Sequence, residues 1–142
     1  MLMDFYHNIA APKAGAIRVM EAMRARGIKM CVATATDRPL AEPALRRCGM
    51  LKYIERIFTC GEENTSKTSP DIFLNAAAFL GTDAGETLVV EDALYAVRTA
   101  KNAGFPVVAV YDRSSDDLQD QIKSLCDYYF ASLEEMPAVL LK

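Results

Sequence analysis

Four side chains in this sequence have the types and spacing for phosphate chemistry. Glu91 and Asp92 are adjacent carboxylates that close the apolar run Thr87-Leu88-Val89-Val90 and open an alanine-rich segment ending at Gly104. Neighbouring carboxylates are the hard oxygen donors that Mg2+ selects. In open parallel sheets, ligands collect at the carboxyl ends of buried strands. Helix capping is a sufficient reason for Asp92 but not for an acid on the strand's last residue. Thr34 ends a second apolar run, Ile28 to Ala33, and is followed by Ala35, Thr36 and Asp37. Capping explains Thr36 and Asp37, whereas Thr34 comes too early for it. A hydroxyl at a strand tip beside free backbone N–H groups is suited to phosphate oxygens. Lys67 lies in the polar loop 61–69. A loop lysine is ordinarily solvated, but in company with the other three its ammonium can hold phosphate oxygens.

These residues need a scaffold that brings strand tips to one edge. The spacing predicts a helix over Ala14 to Arg26, with Ile17, Met20 and Met23 on its apolar side and Gly27 ending it. Ile28 to Ala33 reads as a strand, followed by a helix from Arg38 to Cys48 with Pro39 in its first turn and Asp37 or Thr36 as cap. Met50 to Glu55 reads as a helical turn, Arg56 to Cys60 as a strand, and Asp71 to Leu80 as a helix opened by Pro70. Thr87 to Val90 and Pro106 to Tyr111 read as buried strands on either side of the helix that ends at Gly104. A helix over Leu118 to Cys126 and a short edge strand over Tyr128 to Ala131 follow. Ser132 then begins a final helix, with Glu135 completing a capping box. Alternating strands and helices imply an α/β fold with a doubly wound, mostly parallel sheet.

With 142 residues, 51% hydrophobic, the chain is sized for one domain with one core. A net charge of −3 with charges of both signs points away from nucleic acid and membrane surfaces as partners. Cys31, Cys48, Cys60 and Cys126 form no C-x-x-C pair, so they read as free thiols, most of them buried, and not as disulfides or zinc ligands. No run reaches transmembrane length and no signal peptide is evident, so the expected location is the cytoplasm. The single histidine, His7, stands among aromatics and reads as a packing or surface residue.

Met30-Cys31-Val32-Ala33-Thr34-Ala35-Thr36, Ser66-Lys67-Thr68-Ser69-Pro70-Asp71 and Val89-Val90-Glu91-Asp92-Ala93 with Ala103-Gly104 occur in this order. The chain resembles the haloacid dehalogenase-like hydrolase superfamily, in particular its phosphoglucomutase-like phosphatase branch. The resemblance implies a Rossmann-like core over 1–142, with 1–13 as the segment returning from a cap. It assigns Thr34 and Ala35 to phosphate binding, Lys67 to phosphate binding and charge neutralisation, and Glu91 with Asp92 to Mg2+. The implied substrate is a small phosphorylated metabolite.

One departure stands against these matches. The family's nucleophile is the first aspartate of an Asp-x-Asp motif after an apolar strand, and its second aspartate is the general acid/base. Here Asp4 is preceded only by Met1-Leu2-Met3 and followed two residues on by Tyr6. The chain is therefore expected to be a truncated core without its central first strand, inactive alone and weak in Mg2+ binding. The alternative is a non-catalytic phosphate-binding or protein-interaction module. A bare slot between the strands ending at Thr34 and Glu91 would expose apolar edges. The two strands could pair directly, or Met1 to Ile9 could fill the slot, although Asp4, His7 and Asn8 make a poor buried strand. A second copy, by self-association, or another polypeptide could instead cover the edges, and association is the expected outcome. A response-regulator receiver places its acid pair ahead of its Thr and Lys, the reverse of the order here.

Overall fold

The computed structural model describes residues 2–3 and 14–140. Among the described residues, six parallel strands form one sheet in the order β3-β2-β1-β4-β5-β6. They are β1 (Leu2–Met3), β2 (Cys31–Thr34), β3 (Arg56–Thr59), β4 (Val89–Glu91), β5 (Val107–Val110) and β6 (Tyr128–Phe130). The helices are α1 (Ala16–Ala25), α2 (Arg38–Arg47), α3 (Asp71–Leu80), α4 (Leu94–Asn102), α5 (Gln119–Leu125) and α6 (Met136–Leu140). The expected doubly wound α/β architecture is present.

Both faces of the sheet are covered, and the strands show why. Cys31, Ala33, Phe58, Val89, Val107 and Ala109 face one way, against Ile72, Phe73 and Ala76 of α3, Val97 of α4 and Ile122 of α5. Val32, Ile57, Val90, Val108 and Val110 face the other way, against Val19 and Met20 of α1 and Met136 of α6. Period-two alternation between two apolar layers makes each strand apolar throughout, as in the sequence. The helix stops follow the glycines: Gly27 and Gly81 take φ of 73° and 78° just past α1 and α3. Among the described residues, no helix is long and apolar enough to cross a membrane.

The slot that the sequence was expected to leave open is occupied. Leu2 pairs with Cys31 and Val89, and Met3 pairs with Val32 and Val90, so β1 lies between β2 and β4. Among the described residues, the strand edges expected to be bare are paired within the chain at Cys31–Val32 and Val89–Val90. Asp4, His7 and the rest of 4–13, most of the expected return segment, lie outside the described residues.

Three local expectations are corrected. Asp92 does not cap the helix that follows it: α4 begins two residues on, with Ala93 at the N-cap position. Asp37 stands at the N-cap position of α2 without a side-chain capping hydrogen bond. Ser132 accepts from the Glu134 N–H, whereas the complete capping box belongs to Asp83 and Glu86, ahead of β4.

Candidate active site

Thr34 is the last residue of β2 and Glu91 the last of β4, and both strands flank β1. Two inter-strand spacings separate their backbones, about 10 Å. Both side chains are buried, as are Asp92 and Lys67. The Thr34 hydroxyl accepts the Thr36 N–H at 3.0 Å. A hydroxyl also donates, so its proton remains available to an anion at the tip. Ala35, between them, is exposed. This local turn is a role for Thr34 distinct from capping, as its early position in the sequence requires.

Lys67 is not a solvated loop lysine. Its Nζ donates to Glu91 Oε2 at 2.7 Å, and both side chains are fully buried. Burial pushes the Lys67 ammonium below its ordinary value of 10.5, while Glu91 and, more weakly, Asp92 oppose that shift. The other Glu91 oxygen, Oε1, accepts the Asp92 N–H at 3.1 Å. Cys60, just past β3, sits in the same field: burial and then the Glu91 charge raise its thiol pKa. Lys67, Glu91 and Asp92 thus form one buried charged group, with Thr34 at the same sheet edge.

The donor chemistry fits Mg2+. Asp92 and Glu91 are buried oxygen ligands, and Mg2+ is commonly held by one or two carboxylates together with waters and phosphate. Glu91 already serves Lys67 and the Asp92 amide. Among the described residues, no group of three or more His, Cys, Asp or Glu could hold a metal ion.

One pair escaped the sequence reading. Arg38, the first residue of α2, grips Glu62 in the loop after β3, with Nε–Oε2 and Nη2–Oε1 distances of 2.9 Å each. Nothing in the sequence links these positions. Only the parallel pairing of Thr34 with Thr59 brings their loops together.

The haloacid dehalogenase-like hydrolase family model matches residues 4–104. The chain belongs to this family of hydrolases. A haloacid dehalogenase-like hydrolase domain-containing protein of Arabidopsis thaliana is 28% identical over 134 residues, 91% of this chain and 42% of the relative. The fructose-1-phosphate phosphatase YqaB of Escherichia coli is 30% identical over 81 residues, 57% of this chain and 43% of the relative. A HAD phosphatase structure from Thermococcus onnurineus superposes with a TM-score of 0.76 at 27% identity, covering 91% of this chain and 58% of that one. The chain therefore spans roughly half the length of these relatives.

Proposed function

We propose that this chain carries the phosphate-holding part of a phosphohydrolase site for a small phosphorylated metabolite. The observation that carries the reading is the buried Lys67–Glu91 pair at the sheet edge where Thr34 ends β2. Burying an ammonium and a carboxylate together costs several kcal/mol per ion before their attraction repays it. A buried ammonium and carboxylate placed together at the ligand end of a parallel sheet are suited to handling an anion there. The name of the Escherichia coli relative, a sugar-phosphate phosphatase, supports the substrate class.

In this reading, Thr34 donates its hydroxyl proton to a phosphoryl oxygen. Lys67 neutralises charge on the same group, and Glu91 keeps Lys67 in place. Asp92, with Glu91, would hold Mg2+, which when bound supplies further charge neutralisation at phosphoryl oxygens. In this family the covalent phosphoryl transfer runs through an aspartate carboxylate as nucleophile. Asp4 follows β1 directly in the sequence but is not part of an Asp-x-Asp motif, since Tyr6 stands at the second position. Tyr6 does not supply the carboxylate that serves as general acid/base in the family.

The chain is therefore expected to bind inorganic phosphate and to hydrolyse p-nitrophenyl phosphate no faster than background, with or without Mg2+. Calorimetric titration with phosphate, repeated on Thr34→Val, tests the binding. Mg2+-dependent hydrolysis abolished by both Asp4→Asn and Asp92→Ala would show instead a chain that is catalytically complete. Tyr6 in place of the second aspartate favours a second reading, a phosphate-binding module with no turnover in any context. Restoration of turnover by Tyr6→Asp would contradict that second reading.

A further inference from the structure

We propose that the Arg38–Glu62 pair is a positioning clamp that sets the Thr34 tip and the Lys67 loop at the separation phosphate binding needs. The inference rests on the phosphate-site reading above. Thr34 and Lys67 arrive on different segments. Arg38 lies four residues after Thr34, and Glu62 five residues before Lys67. Their side chains meet through three charge-assisted hydrogen bonds, Nε to Oε1 at 3.1 Å and Oε2 at 2.9 Å, and Nη2 to Oε1 at 2.9 Å. Arg38 Nη2 also donates to the Ile57 carbonyl at 2.7 Å, which ties the guanidinium to β3 itself.

The loop that Glu62 holds is internally fastened. The Glu62 N–H donates to the buried Thr59 hydroxyl at 3.1 Å, and the Thr65 N–H to the Cys60 carbonyl at 3.0 Å. The Cys60 N–H donates to the Thr34 carbonyl at 2.9 Å. At Gly61 an added Cβ would lie 3.0 Å from Asp37 Oδ1, so the two loops approach closely there. Pulling on Glu62 therefore moves the segment leading to Lys67 as a body, with Thr34 as its reference point.

The energetics argue against a purely stabilising role. The two side chains are 34% and 52% exposed, and exposed ion pairs contribute little to stability. The planar fork of arginine fixes direction as well as distance. The mutual pKa shifts, Arg38 raised and Glu62 lowered chiefly by their hydrogen bonds, are consistent with a formed pair. Strong geometry with weak stabilisation is what a positioning contact requires.

The test is a double-mutant cycle on inorganic phosphate affinity, with the thermal midpoint measured on the same samples. Arg38→Ala and Glu62→Ala should each weaken phosphate binding about tenfold, and the double variant should be no weaker than either, as for groups that act only through each other. The midpoint should move by no more than a few degrees. If Arg38→Ala weakens binding while Glu62→Ala leaves it unchanged or tightens it, Arg38 is a direct phosphate ligand and the clamp is refuted. Unchanged affinity in both single variants refutes it as well. If the unaltered chain binds no phosphate, the functional reading falls first and the clamp falls with it.

Discussion

At the scale of single residues, the candidate site centres on the buried Lys67–Glu91 pair. Each alone would be an intolerable buried charge, and at 2.7 Å each makes the other tolerable. Lys67→Met should destabilise the chain by about 3–5 kcal/mol in urea unfolding, because it strips the counter-ion from a buried carboxylate. Lys67→Met combined with Glu91→Gln should cost less than Lys67→Met alone. A single variant within 1 kcal/mol of the parent would show that the pair is not closed in solution. The chemistry-bearing types were legible in the sequence, since Thr34 stood too early for a cap and Glu91 had no capping explanation. The burial of Lys67 was not, because a lysine in a polar loop carries no local sign of where its ammonium ends. Its partner lies 24 positions away.

Elements place these residues, and their ends are set by two different kinds of cause. The bounds of α3 match the sequence reading because Pro70 and Gly81 stop it locally at both ends. The strand starts match at Arg56 and Tyr128 but not at β2, which begins at Cys31 and not Ile28, where its ladder with Leu2 and Arg56 begins. The ladder is a property of neighbours and is invisible in a single run. Glycine positions separate local from tertiary demands in the same way. Gly15 and Gly27 both have positive φ, but an added Cβ meets nothing within 4 Å at Gly27 and lies 2.5 Å from the Glu134 nitrogen at Gly15. Gly27→Ala should cost about 1–2 kcal/mol for the backbone alone. Gly15→Ala should cost a further 1–3 kcal/mol for the clash that pushes α1 from the turn before α6, and equal midpoints would contradict this. Asp127, just ahead of β6, ties α4 to β5. It accepts from Lys101 Nζ at 2.8 Å and from the Val107 N–H at 2.7 Å. Burial pushes the Asp127 carboxyl upwards, but Lys101 and the Val107 amide outweigh it and hold the group below its ordinary 3.8. A depressed carboxyl stabilises the fold above 3.8, and that contribution is lost as pH falls from there through the folded value. Asp127→Asn should therefore show a shallower loss of stability below pH 3.8 than the parent, and parallel acid limbs would refute the assignment.

At the scale of the whole molecule, the sheet depends on its shortest member. β1 has two residues, yet it joins β3-β2 to β4-β5-β6. No periodicity can announce so short a strand, and so the sequence suggested an open slot, while the doubly wound class was plain from the alternation of longer elements. Deleting residues 1–3 should bare the edges of β2 and β4 and produce a lower unfolding midpoint with concentration-dependent association. A truncated chain that stays monomeric at an unchanged midpoint would show that β2 and β4 close without β1. The central claim is that Thr34 and Lys67, from segments joined only through the fold, face one phosphate. The most direct measurement is an amide-resolved NMR titration of the 15N-labelled chain with inorganic phosphate. The predicted result is saturable shifts centred on Thr34, Ala35, Thr36 and Lys67, lost together in Thr34→Val. Shifts confined to another surface, such as the groove beside Tyr95 and Arg98, or no saturable shift at all, would contradict it.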